Sequence, residues 1–142
     1  MTRRTRRTAT VLVIATPGPV RDAWARALEA NHHAVVASRS VEPGVAHARE
    51  GGIDVVVFDA TDRAQDGRLL VDELDRLPEP PPLILVSSSP RAPELSARLG
   101  AAAFVPTPCE AADIVDECER LLASRSLAFD DEPTGPRELV DP

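Results

Sequence analysis

The chain of 142 residues contains no lysine: all sixteen of its basic residues are arginine. Any site it builds must do without an ammonium group. Cysteine is scarce too, with Cys109 and Cys118 nine residues apart, no second pair, and no histidine at ligand spacing. That pattern excludes a disulfide framework and a zinc site and leaves both as small core residues. His32, His33 and His47 have no spacing that marks a nucleophile or a metal site. No apolar run approaches the roughly 18 residues needed to span a bilayer, which excludes a transmembrane helix. A secretory signal is missing as well, because MTRRTRRTAT is followed by only four apolar residues before ATPGP, short of the usual apolar region of about 7–15. The expected location is cytoplasmic. Positive charge is lacking overall: the net charge is −7, and neutralising phosphates needs a positive surface, so the body of the chain is not expected to bind nucleic acid. Arg3, Arg4, Arg6 and Arg7 form a basic leader over residues 1–9, read as solvated and disordered, with a local polyanion-binding arm as the alternative.

What remains is 43% apolar and 27% charged, an ordinary single globular domain. TVLVIA (10–15) is a β-branched run bounded by Pro and Gly, a strand buried on both faces. Val20, Trp24, Ala27 and Leu28 then fall on one helical stripe. AVVAS (34–38) is a second strand, followed by a helical stretch from Glu42 to Glu50 that Gly51 and Gly52 end. IDVVVFDA (53–60) is the most apolar strand and delivers Asp59 at its end, with Asp66 and Gly67 just beyond. A helix over 67–77 carries Leu70, Val71, Leu74 and Leu77, and PEPPP breaks the chain after it. LILVS (83–87) is a fourth strand, with Ser87, Ser88 and Ser89 at its end. A short helix over 94–99 stops at Gly100, AAFVP is the fifth strand, and a helix over 110–122 places Ile114, Cys118, Leu121 and Leu122 in register.

Strictly alternating βα units imply right-handed crossovers and a five-stranded parallel sheet covered on both faces, a doubly wound (βα)5 domain of three layers over residues 10–123. Function in such sheets gathers at the carboxyl ends of the strands: Ala15-Thr16, Asp59-Ala60, Ser87-Ser88 and Thr107-Pro108. Residues 124–142 lose apolar periodicity and gain acid and proline, as expected of a flexible tail that Leu127 and Phe129 would dock.

One carboxylate ending the central strand, a hydroxyl ending the next and a last strand ending X-Pro together resemble the response-regulator receiver domain. The resemblance covers residues 10 to 123 and includes Asp66-Gly67, Gly100-Ala101, and Phe104 at the position of the family's switch aromatic. It implies the flavodoxin-like receiver fold, phosphoryl transfer from a histidine kinase to Asp59, Ser87 as the hydroxyl facing the phosphoryl group, and a cis Thr107-Pro108 bond. It also implies a divalent metal held by the acceptor and an acidic pair ending the first strand. Here Ala15 and Thr16 stand in place of that pair, and Thr107 stands in place of the cation on the fifth strand. One remaining carboxylate is a poor cage for Mg²⁺, and charge on a transferring phosphoryl group is left without neutralisation.

The expectation is a non-enzymatic pseudo-receiver, a protein interaction module of bacterial two-component signalling. Magnesium is not expected as a cofactor, Asp59 being the one carboxylate left to hold it. Residues 92–122 form the expected face for a histidine kinase, a downstream protein or a second copy, with Arg91, Arg98, Phe104 and Glu119 as exposed contacts. An output domain is not expected within the chain. Two alternatives stay open: a regulator phosphorylated on Asp59 with Mg²⁺, and a small-ligand or nucleotide sensor using the same crevice. The plainer readings of these residues are that Asp59 caps a loop, Ser87 to Ser89 start the next helix, Asp62 and Asp66 serve solvation and turn chemistry, and Trp24 is core. A phosphate-binding turn at Thr16-Pro17-Gly18-Pro19 is disfavoured because its two prolines lack N–H donors.

Overall fold

The computed structural model describes residues 8–61 and 66–130, the last six through their backbone alone. Residues 1–7 of the arginine leader, Asp62, the segment from 131 onward and the side chains of Leu127 and Phe129 lie outside the described residues. Strands and helices alternate strictly, as β1 (Thr10–Ile14), α1 (Pro19–Ala30), β2 (Ala34–Ser38), α2 (Val41–Glu50), β3 (Val55–Asp59), α3 (Asp66–Asp75), β4 (Leu83–Ser87), α4 (Ala92–Leu99), β5 (Ala103–Pro106) and α5 (Ala111–Asp130). The strands pair in parallel in the order β2-β1-β3-β4-β5.

Side chains on a strand alternate between faces, and here each set is apolar. Val11 and Val13 of β1, Val55 and Val57 of β3, and Ile84 and Val86 of β4 meet Trp24 and Leu28 of α1 and Ile114, Val115, Cys118 and Leu122 of α5. The alternate residues Leu12, Ile14, Val56, Phe58 and Leu85 meet Val41, Val45 and Ala48 of α2 and Leu70 and Leu74 of α3. The central strands β1, β3 and β4 are thus dry on both faces, which is why they are continuous apolar runs rather than alternating ones. Trp24 is a core residue, as expected.

Several boundaries differ from the sequence reading; those of β3 and α5 have identifiable reasons, and α1 ends where expected by an unexpected device. β3 starts at Val55 rather than residue 53, because the Asp54 carboxylate accepts the Thr10 N–H at 2.9 Å and diverts it from the ladder. α1 ends without glycine: His32 adopts a left-handed φ of 71°. The His32 N–H then reaches the Glu29 carbonyl at 2.9 Å and the His33 N–H reaches the Leu28 carbonyl at 3.1 Å, closing the last turn in the Schellman manner. α5 continues to Asp130, past the expected end at Leu122. Loss of apolar periodicity does not stop a helix, and no Pro or Gly intervenes before Pro133.

Candidate functional site

Four neighbouring strands end along one rim. The ladder pairs Ile14 with Phe58, Asp59 with Val86 and Ser87 with Pro106. Ala15 therefore follows β1 beside Asp59, and the Thr107 N–H donates to the Ser87 carbonyl at 3.1 Å. With strands about 4.8 Å apart, Ala15, Asp59, Ser87 and Thr107 lie within about 14 Å along the rim. The structure thus brings the expected residues together, and the Thr107-Pro108 bond is cis.

Local hydrogen bonding shapes each of them. Asp59 is half-buried, and its Oδ1 accepts the Thr61 N–H at 3.0 Å, an Asx turn. Ser87 is 4% exposed, and its Oγ accepts the Ser89 N–H at 3.1 Å. The Ser89 Oγ in turn accepts the Arg91 N–H at 3.2 Å. The serines therefore build two successive hydroxyl turns, and α4 begins after Arg91 with no side-chain cap, which corrects the helix-capping alternative for Ser87 to Ser89.

Arg21 escaped the sequence reading. Its Nη1 donates to the Ala15 carbonyl at 3.4 Å, so a guanidinium from the first turn of α1 reaches back to the end of β1. Its place in the first turn of α1 is legible, but the direction of its side chain follows from how α1 seats on the sheet.

Among the described residues Asp59 is the one carboxylate on the rim, a poor cage for a divalent cation. Mg²⁺ is bound mainly through carboxylates and waters, and beside Asp59 Ala15 offers only a carbonyl, which accepts from the Arg21 guanidinium. Among the described residues no three His, Cys, Asp or Glu side chains converge to hold a metal. A fixed positive charge at the end of β1 further disfavours a dication beside Asp59.

Cys118 is fully buried in the α1–α5 layer, while Cys109 is half-buried after the cis bond, and both are free. Burial pushes the Cys109 thiol up, and the carboxylates of Asp113, Asp59 and Glu110 add to the effect. It is therefore a poor nucleophile.

Of the four residues expected as exposed contacts on the 92–122 face, Arg91 and Arg98 are exposed, while Phe104 and Glu119 are not. The two arginines flank Glu94 at 3.8 and 4.0 Å. Phe104 is half-buried, packs against the α2–α3 layer and lines a groove of about 340 Å³ with Val105, Pro106, Pro108, Asp113, Asp116 and Glu117. Glu119 is not an outward contact: its Oε2 meets Nε2 of His33 at 3.1 Å. α5 turns that position towards the α1–β2 corner, because Glu119 lies one helical turn from buried Val115 and Leu122, which pack in the layer shared with α1. A wider concavity of about 440 Å³, lined by residues including Gly51, Gly52, Asp54 and Glu79, lies at the opposite, amino-terminal ends of the strands.

No protein-family profile and no curated protein matches the chain. Solved structures do. A response regulator from Thermotoga maritima superposes with TM-score 0.71 at 18% identity, covering 82% of this chain and 98% of that one. The CheY-like receiver domain protein from Methanospirillum hungatei gives 0.70 at 15% identity over 86% and 99%. NtrX from Brucella abortus, in complex with ADP, gives 0.76 at 22% identity over 87% of this chain and 28% of that one. With so few identical residues the likeness is one of backbone path, and by that path the chain has the fold of the response-regulator receiver domains.

Proposed function

We propose that the chain is a pseudo-receiver, a divergent member of the receiver family that signals by docking a protein through residues 92–122 instead of by Mg²⁺-dependent phosphorylation of Asp59. The observation that carries this reading is at the end of β1, where Ala15 and Thr16 supply no carboxylate and the Arg21 guanidinium holds the Ala15 carbonyl. A transferring phosphoryl group spreads negative charge over its oxygens and needs a metal or cation to receive it. Thr107, in place of the cation, offers only a hydroxyl. The partner is a histidine kinase or a downstream signalling protein, or a second copy of the chain.

Intact-mass analysis after incubation with acetyl phosphate and Mg²⁺ tests the reading. No phosphoryl adduct is expected. A Mg²⁺-dependent adduct that disappears in Asp59→Asn would overturn it and establish the phosphorylatable alternative, which has in its favour the side-by-side placement of Asp59 and Ser87 on β3 and β4.

A further inference from the structure

The two edges of the sheet are guarded differently. β5 is 4 residues long with Pro106 inside it and the cis-bonded Pro108 just beyond, and proline on an edge denies a further strand its hydrogen bonds. β2, the last strand on the opposite side, has none of these devices. Its residues, AVVAS, include no proline and no charge, and its register with β1 runs without a bulge. Val35 and Val36 pack half-buried on opposite faces, whereas Ala34 and Ala37 are exposed, so the helices on both faces stop short of this edge.

Hydrogen bonding on the inner side of β2 fixes what its outer side presents. The Ala34 N–H donates to the Ala9 carbonyl at 2.8 Å, and the Ser38 carbonyl accepts the Ala15 N–H at 2.9 Å, so residues 34, 36 and 38 aim their backbone groups at β1. The strand period of two then turns the N–H and C=O of Val35 and Ala37 outward. That pattern is its own complement. In an antiparallel pair of β2 strands related by a two-fold at Val36, Val35 of each copy lies opposite Ala37 of the other and exchanges both bonds with it. The two Val36 residues then form the close, non-hydrogen-bonded pair.

Charge favours the same arrangement. Copies of a chain with net charge −7 repel one another, and this uncharged strand brings no acid against acid. The pairing carries exposed Arg39 of each copy to position 33 of the other, beside the carboxyl-terminal end of α1, where Glu29 is exposed and the helix end is itself negative.

We propose that β2 is an interface for a second copy of the chain, the two sheets joining edge to edge through antiparallel β2 strands centred on Val36. The 92–122 face belongs to the far side of each sheet, so the pair presents two docking faces pointing apart. The interface goes beyond the docking reading and does not depend on it.

Sedimentation equilibrium of the full chain in reductant is expected to show a dimer that dissociates on dilution. Ala37→Pro removes an outward N–H that the single chain does not use, and Ala37→Lys places a charge on the edge. Each should weaken the dimer roughly tenfold or more while circular dichroism stays that of the parent, and either variant decides the matter if the other fails to fold. The register is read with Val36→Cys in a Cys109→Ser background, Cys118 being fully buried. Oxidation should link the copies through residue 36, where the close pair sets Cα atoms about 4.5 Å apart, within disulfide reach. It should not link them through Ala37→Cys, whose two copies lie diagonally at about 7–8 Å. Three results overturn the proposal: a monomer at every concentration, no linkage through residue 36, or a dimer that the Ala37 variants leave intact, which would assign self-association to the 92–122 face. None of these readouts involves Asp59, so their outcome and the appearance of a phosphoryl adduct are separately visible.

Discussion

Alkaline pH offers an unusually clean probe of the core. Cys118 is fully buried between α1 and α5, and burial, with Glu119 and Glu117 adding to it, pushes its thiol from 9.0 up to about 12. The unfolded chain therefore releases this proton above pH 9.0 while the folded chain keeps it, so unfolding gains favour as pH rises. The stabilisation is fully present below 9.0 and is lost progressively up to about 12. Each pH unit inside the window removes about 1.4 kcal/mol per differentially bound proton. The loss is on the order of a few kcal/mol, a substantial share of the ~5–15 kcal/mol typical of a domain. Composition removes the usual confusion: the chain has no tyrosine and no lysine, and arginine stays charged throughout. Cys109, also raised, acts in the same direction. The assay is urea unfolding under reducing conditions at a series of pH values from 8 to 11. Fluorescence of Trp24, buried in the same layer, reports the transition. Stability should fall with pH in the parent, fall less in Cys118→Ala, and be nearly flat in Cys109→Ser/Cys118→Ala. A flat parent profile, or a double variant that keeps the full slope, refutes the reasoning.

Two further predictions concern packing. The His33 side chain is fully buried, and its Nε2 meets Glu119; since a carboxylate only accepts, the neutral ring carries its proton on Nε2, while Nδ1 has no partner among the described residues. Glu119→Ala should cost about 1–3 kcal/mol by stranding that donor, and less than about 0.5 kcal/mol once His33→Leu has removed it, so equal costs in both backgrounds of a urea double-mutant cycle would sink the idea. At Gly44 an added Cβ would lie 2.7 and 2.9 Å from Ile14 Cδ1 and Cγ1, and Ile14 is itself fully buried. Gly44→Ala should therefore destabilise by about 1–3 kcal/mol of overpacking, only partly offset by up to ~1 kcal/mol of helix propensity, and a raised melting temperature would contradict it.

Most of the architecture was legible because a parallel sheet buried on both faces needs continuous apolar strands, and a helix packed on it needs a 3.6-residue stripe. VLVI, VVVF and LILV cannot be solvated, and Trp24 with Leu28, or Ile114 with Cys118, can face only one layer. Element ends were less legible because they turn on single hydrogen bonds. The Asp54 carboxylate claims the Thr10 N–H, and His32 takes a conformation that composition would assign to glycine.

The rim was legible as residue types at strand ends: Asp59, Ser87, Thr107, and the missing carboxylates at Ala15 and Thr16. Sequence determined that these positions share one edge, because parallel strands put all their carboxyl ends on one side. It also determined that no lysine could serve them. Only the tertiary structure decided what surrounds them and what faces outward. Arg21 reaches the Ala15 carbonyl because a crossover returns α1 over β1, and Glu119 turns inward to His33, 86 residues away in the chain, because α5 packs against α1. Side-chain direction across such separations depends on how helices seat on a twisted sheet, which no local pattern records.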